Sequence, residues 1–211
     1  MLSYCTIAPH TLELLKHLMA APLLDNCRLV GGTSLALQYG HRSSVDLDLF
    51  GSIPEEDFVF TDILEQFGKV QGQKTTRFIK SFVIDGIKVD FVNYSRYPWI
   101  DEAIVEDRLR LASPKDIAAM KISAIEGRGS KKDFIDLYFL LQRFTLEEIL
   151  DFYTQKYPQY SMFRSRMALT YFEDAENQEN PRMFDIVEWK TVKEKIAEEV
   201  RKFDWKKYGD K

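Results

Sequence analysis

Between Val45 and Phe50 the chain reads Val-Asp-Leu-Asp-Leu-Phe. Strict alternation of apolar and acidic residues is the period of a half-buried strand, whose successive side chains take opposite faces. The pattern predicts a strand over 45–50, with Val45, Leu47 and Leu49 on one face and Asp46 and Asp48 together on the other. Two neighbouring carboxylates repel each other unless a cation lies between them. A dozen residues upstream stands Gly31-Gly32-Thr33-Ser34. A short strand over Arg28–Val30 is predicted to run into this turn, and a helix over Thr33–Tyr39, stopped by Gly40, to leave it. Bare backbone N–H groups at such a turn can hold a phosphate. A divalent metal beside a phosphate cradle is the equipment of phosphoryl or nucleotidyl transfer.

The 211 residues, 45% of them hydrophobic, suffice for one large domain or two small ones with a packed core. A net charge of −4 does not support a globally basic nucleic-acid binder, although a local basic patch is compatible with it. Cys5 and Cys27 lack metal-ligand spacing and read as reduced thiols of an intracellular protein. The N-terminus shows no basic segment followed by an apolar core, so a cytoplasmic rather than a secreted protein is expected. No apolar run approaches the length of a membrane span, so no membrane partner is expected.

The pattern along the chain changes near residue 113. Before it, a helix over Thr11–Ala20, a helix over Pro54–Phe67 and two strands, Phe78–Ile84 and Ile87–Tyr94, are predicted, the last two joined at Asp85-Gly86 by a hairpin. After it, Ser113-Pro114 reads as an N-cap with Pro at the first helical position and Asp116 at the third. Helices follow at roughly 114–126, 131–143, 145–156, 161–173 and 186–204, with no strand among them. The expected class is α+β, with a mixed-sheet half over 1–112 and an α-helical half over 113–211. No Gly/Ser-rich linker marks the boundary. Glu173–Pro181 is polar and is expected to be a mobile loop.

Two residues break their own apolar patterns. Lys121 lies four residues from both Ile117 and Ile125, on the stripe that also holds Ala124. Asp136 is the one charged residue between Phe134 and Leu141. A buried charge is costly unless it is paired or ligates a metal. Either the two form a structural ion pair between helices, or both stand in the wall of a cleft facing Asp46 and Asp48. Asp90 likewise has two readings. On the strand Ile87–Val92 it shares a face with Lys88, and it is either a third carboxylate for a metal site or a solvated acid.

The run Gly31-Gly32-Thr33-Ser34-Leu35-Ala36-Leu37, then His41-Arg42-Ser43-Ser44-Val45-Asp46-Leu47-Asp48-Leu49-Phe50, resembles the AbiEii/AbiGii toxin family of nucleotidyltransferases. So does the later stretch Ala118-Ala119-Met120-Lys121, Ala124-Ile125, Arg128 and Lys132-Asp133-Phe134-Ile135-Asp136-Leu137-Tyr138. The likeness covers residues 28–142; it is strong in the order and spacing of motifs that are weak singly. It implies the polymerase-β-like fold, with a nucleotidyltransferase-like core and a helical part closing the cleft. It also implies transfer of an NMP from an NTP to an acceptor such as RNA or tRNA, a toxin role, and a cognate antitoxin as partner. Thr33 stands where many relatives carry serine, which keeps the hydroxyl and adds a methyl.

On this reading Asp46 and Asp48 hold one or two Mg²⁺ ions, with Asp90 as a further metal ligand. Gly31, Gly32, Thr33 and Ser34 bind the phosphates at a helix N-terminus. Lys121 neutralises charge on the triphosphate, and Asp136 orients Lys121 or assists with the acceptor proton. Arg128 contacts phosphate or RNA, or makes only a helix-dipole contact. His41-Arg42 lines the nucleotide mouth or lies in a solvated loop. Arg128, Lys131 and Lys132 form either a small RNA-binding cluster or a solvated face, and Lys206-Lys207 reads as solvated. Tyr94, Tyr97 and Trp99 stack a base or anchor the core. A catalytically degenerate binding protein of the same fold is the alternative. A metal-dependent phosphoester hydrolase is a third class, weakened because only His10, His17 and His41 are present.

Overall fold

Alternating faces and glycine turns build the first half of this protein, and buried helix faces build the second. The structure, a computed structural model, describes residues 1–56 and 58–205. It divides into two compact units, Met1–Pro98 with Glu102–Ser113, and Trp99–Asp101 with the chain from Pro114 on.

The first unit contains helices α1 (Pro9–Ala20), α2 (Gly31–Tyr39) and α3 (Phe58–Glu65). Its strands are β1 (Arg28–Leu29), β2 (Leu47–Gly51), β3 (Val70–Thr75), β4 (Ile79–Ile84), β5 (Ile87–Asn93), β6 (Ile104–Glu106) and β7 (Leu109–Leu111). They form one mixed sheet in the order β3-β4-β5-β2-β1-β7-β6. The pairs β2–β5 and β1–β7 are parallel and the others antiparallel. Leu47 and Leu49 of β2 and Val89 and Phe91 of β5 turn inward and are buried, so their acidic neighbours take the other face. Leu14, Leu15 and Leu18 of α1 belong to the same core. Phe60, Phe82 and Phe91 meet in it, with the rings of Phe60 and Phe91 4.7 Å apart. Each such ring stabilises the fold by about 1.5–3 kcal/mol through its removal from water.

Asp85 and Gly86 both have positive φ, 47° and 81°, as the tight hairpin between β4 and β5 requires. Asp107 and Arg108 do the same between β6 and β7, with φ of 52° and 65°. Arg110 on β7 donates to the carbonyls of Met19, Leu24 and Cys27 at 3.0, 2.9 and 3.2 Å, tying the end of α1 to the sheet. Both cysteines are free thiols. Burial pushes the Cys27 thiol up to about 11, against a smaller downward pull from Arg110.

Several boundaries differ from expectation. The acidic strand begins at Leu47, and Val45 is 65% exposed. Residues 43–46 are held elsewhere: Ser44 N–H donates to Thr6 O at 2.9 Å, and the Thr33 hydroxyl donates to Asp46 O. Gly31 and Gly32 are the first turn of α2 rather than a turn ahead of it. The helix expected over 54–67 is confined to Phe58–Glu65.

The second unit contains α4 (Pro114–Arg128), α5 (Lys131–Leu140), α6 (Leu146–Lys156), α7 (Met162–Ala168), α8 (Glu173–Glu176) and α9 (Trp189–Lys202). A capping box, Thr145 with Glu148, starts α6. Helix α4 packs on α5, α6 and α7 and is therefore buried on several sides, at Ile117, Ala118, Ala119, Ile122 and Ile125, instead of along one stripe. Asp116 does not stop at a helix-start role. It is fully buried, accepts from Ile100 N–H at 2.9 Å and pairs with the equally buried Lys156 at 2.6 Å. The segment expected to be a mobile loop carries α8, and beyond it Gln178 accepts from Lys131 N–H at 3.0 Å. Among the described residues, no helix is long and apolar enough to cross a membrane.

Candidate active site

The residues singled out in the sequence fall into two groups, one in each unit. In the first unit, β1 and β2 pair antiparallel, and the ladder continues in a 2.9 Å bond from Val30 N–H to Asp48 O. Helix α2 starts at the next residue, so its N-terminus lies beside Asp48. Gly31 has φ of 67°, and a Cβ there would sit 2.5 Å from Asp48 Oδ2. Only glycine leaves the room that this carboxylate uses. A Cβ on Gly32 would collide with the guanidinium of Arg42. No side chain caps the N-terminus of α2. Backbone N–H groups there, a carboxylate and a guanidinium thus meet around two residues that have no side chain.

Thr33 and Ser34 are buried, at 1% and 0% exposure. The Thr33 hydroxyl donates to Asp46 O and lies 2.8 Å from Ser44 Oγ. Ser34 Oγ accepts from Gln38 Nε2 at 3.1 Å. Both hydroxyls therefore position the site: Thr33 fixes the chain at Asp46, and Ser34 braces the helix from within. His41 and Arg42 are also buried, at 1% and 3%, which excludes the solvated-loop reading for this pair.

Asp48 and Asp90 are register partners on the parallel strands β2 and β5, so their carboxylates share a face. Lys88, two residues before Asp90, lies on the same face, with Nζ 2.5 Å from Asp90 Oδ2. Asp90 is paired rather than freely solvated, and its side chain is 16% exposed. Its other oxygen, Oδ1, is buried and accepts no hydrogen bond. Burial alone would loosen the Lys88 proton. The neighbouring Asp90, Asp48 and Asp46 more than reverse that, and its pKa is raised. Among the described residues, no three His, Cys, Asp or Glu side chains converge as a group able to hold one ion. The donor set nonetheless fits a hard divalent cation. It is all oxygen, one buried oxygen has unmet acceptor capacity, and Mg²⁺ characteristically takes one or two carboxylates and completes its shell with phosphate and water.

In the second unit, Lys121 is 3% exposed and its ammonium lies 2.6 Å from Asp136 and 2.9 Å from Asp133. Asp133, which sequence reasoning gave no role, is the centre of this group. It accepts from Arg128 Nε at 2.8 Å, Arg128 Nη2 at 3.1 Å and Ser130 Oγ at 2.5 Å. Burial pushes its carboxyl up. Lys121, then Arg128 and Ser130, outweigh burial and hold it well below the ordinary carboxylate range. The signal was present as Ser130-x-x-Asp133, the spacing of a helix-start serine and an acid three residues on, which here bond through their side chains.

The basic cluster expected over Arg128, Lys131 and Lys132 is not a single surface patch. Lys131 is 6% exposed, donates to the carbonyls of Glu176 and Gln178 and lies 5.3 Å from the Trp189 ring. Tyr94 is buried between Phe50 and Tyr97, and Trp99 packs under the Lys156 ammonium at 4.6 Å, so these rings anchor their units. Lys206-Lys207 lies outside the described residues.

The family model for the nucleotidyl transferase AbiEii toxin of type IV toxin–antitoxin systems matches residues 13–210. The chain belongs to that family. It is a nucleotidyltransferase with an α+β fold. It is 34% identical over 200 residues to an uncharacterized protein of Aquifex aeolicus (strain VF5), covering 90% of this chain and 94% of the relative. Among solved structures it is similar to JHP933 from Helicobacter pylori, at a TM-score of 0.55 and 16% identity over 92% of each chain. It is also similar to MenT4, a nucleotidyltransferase toxin from Mycobacterium tuberculosis H37Rv. There the TM-score is 0.55 and the identity 16%, over 93% of this chain and 85% of MenT4. At these identities the two structures speak for the fold, and the AbiEii match carries the family.

Proposed function

We propose that this AbiEii-family enzyme uses Mg²⁺ held by Asp46 and Asp48 to move an NMP from an NTP to the hydroxyl of an RNA or tRNA acceptor. It would act in the cytoplasm as the toxin of a pair with a cognate antitoxin. The observation that carries this reading is the Asp48 carboxylate lying against Gly31 at the N-terminus of α2. A metal-binding acid and a phosphate-binding backbone then occupy one spot. Bound there, Mg²⁺ would offset the charge of the triphosphate oxygens and stabilise the transition state.

The remaining chemistry falls to the chain itself. The N–H groups of Gly31, Gly32 and Thr33 bind the phosphates, and Arg42 adds a buried cation beside Gly32. The acceptor oxygen attacks the α-phosphorus, the bond to the β-phosphate breaks, and pyrophosphate leaves. Asp90, beside Asp48 in register and with an oxygen that accepts no hydrogen bond, would be a further ligand of that metal, and the hydroxyl proton leaves to water. Lys121 and Asp136 hold α4 against α5, the reading that their 2.6 Å pair favours. Arg128 contributes to the same support through Asp133.

Incubating the protein with Mg²⁺, each labelled NTP and total RNA tests the proposal. Label on RNA from the native chain, and none from Asp48→Ala, is the expected result. Release of free nucleotide would instead indicate hydrolysis. Neither product, with nucleotide still bound, would indicate a binding protein.

A further inference from the structure

Lys88 lies on the acidic face and has no task in the reaction above. Its position follows from the strand. In β5, Lys88 and Asp90 lie two residues apart and share a face, and β5 is in register with β2 so that Asp90 stands beside Asp48. The ammonium reaches Asp90 Oδ2 at 2.5 Å. The ammonium thus sits on one carboxylate of the register pair Asp48–Asp90.

We propose that Lys88 is an internal counter-cation of the metal site: it neutralises the acidic face until a divalent ion displaces it. This inference rests on the reading that Asp46 and Asp48 hold the metal.

Two observations and one electrostatic argument support it. Lys88 is 52% exposed along its side chain, and a lysine stem is long and flexible, so the ammonium can leave the face without disturbing the sheet. Asp90 has one oxygen committed to Lys88 and the other buried without a partner, so this carboxylate retains capacity for a second cation. An ammonium and a metal ion carry like charge, and both cannot sit at full strength on the same small cluster of acids. The chemical consequence is selectivity for metal that arrives with nucleotide. Free metal must expel Lys88 into water. A metal–triphosphate complex brings phosphate oxygens that can receive the released ammonium.

Binding of Mn²⁺ alone to the full chain, followed by the loss of its free-ion paramagnetic resonance signal, tests the proposal without any turnover. Lys88→Met is expected to tighten the Kd for Mn²⁺ by about tenfold or more, the effect of deleting one competing charge at a protein surface. Lys88→Arg, which keeps the charge, is expected to stay near the native value. Without metal, Lys88→Met is expected to melt lower, and to gain more from Mn²⁺ than the native chain does. A residue with a purely structural role would lower the melting temperature without tightening Mn²⁺.

Mn²⁺ affinity unchanged or weaker in Lys88→Met, with binding lost in Asp48→Ala, would overturn the role of Lys88 and leave the metal reading standing. No Mn²⁺ binding in any variant, even with nucleotide, would remove the metal reading and this inference together. Should Lys88→Met fail to fold, Lys88→Gln carries the same comparison with the same outcomes.

Discussion

Replacing Gly31 with alanine separates two things that glycine does at this site. The first is conformational. A φ of 67° costs an L-residue about 1–2 kcal/mol. The second is steric. The added Cβ would lie 2.5 Å from Asp48 Oδ2, so the carboxylate must retreat by about 1 Å to reach ordinary contact, and a misplacement of that size can cost activity about a hundredfold. Gly86 provides the control, because it has φ of 81° but nothing within 4 Å of its would-be Cβ. Both variants are expected to lose about 1–2 kcal/mol in denaturant unfolding. Gly31→Ala should also lose about a hundredfold in labelled-NMP transfer while Gly86→Ala keeps nearly all of it. Equal activity in the two variants would refute the argument that Asp48 depends on the bare Gly31.

The buried charges of the helical unit make further predictions. Asp133 has a depressed pKa, so the unfolded chain binds more protons than the folded one below its ordinary value of 3.8. Its contribution to stability is complete above that pH and is lost as the pH falls through and below it. Asp133→Asn should therefore unfold more easily at pH 7 and show a flatter acid limb in melts taken from pH 6 to pH 2, a range of about 4 units around the titration. Lys121→Ala leaves Asp133 and Asp136 short of a buried partner and should cost about 3–5 kcal/mol; full thermal stability with activity lost would return Lys121 to the chemistry. Asp116→Ala strands the fully buried Lys156 and should cost a similar amount, about 3–5 kcal/mol by urea titration, whereas the double change to apolar residues should recover part of it.

What was legible in the sequence was whatever had a short-range cause. The alternation at Leu47–Leu49 turns Asp48 away from the buried leucines, Asp85-Gly86 makes its hairpin, and the helical run after Pro114 appears nearly where expected. The elements that were missed lack such a cause. Strand β3 reads Val-Gln-Gly-Gln-Lys-Thr and is held by pairing with β4, not by an apolar pattern. The β6–β7 hairpin turns on Asp107-Arg108, two residues that take positive φ without the usual glycine. That Gly31 and Asp48 come together was legible from their spacing. The tasks of Thr33 and Ser34 were not, because a hydroxyl near a phosphate cradle and one bonded to backbone look alike in sequence. Lys121 and Asp136 were visible as charges in apolar surroundings. Asp133 was hidden because a charged residue beside Lys131 and Lys132 resembles a solvated helix start until its burial is seen.

Anomalous diffraction from crystals soaked with Mn²⁺ and a non-hydrolysable NTP tests the central claim most directly. The expected result is a Mn²⁺ peak against the carboxylates of Asp46 and Asp48, with the triphosphate reaching the N–H groups of Gly31 and Gly32. A nucleotide bound at Gly31 with no metal at these acids, or metal held by a different set of residues, would contradict it.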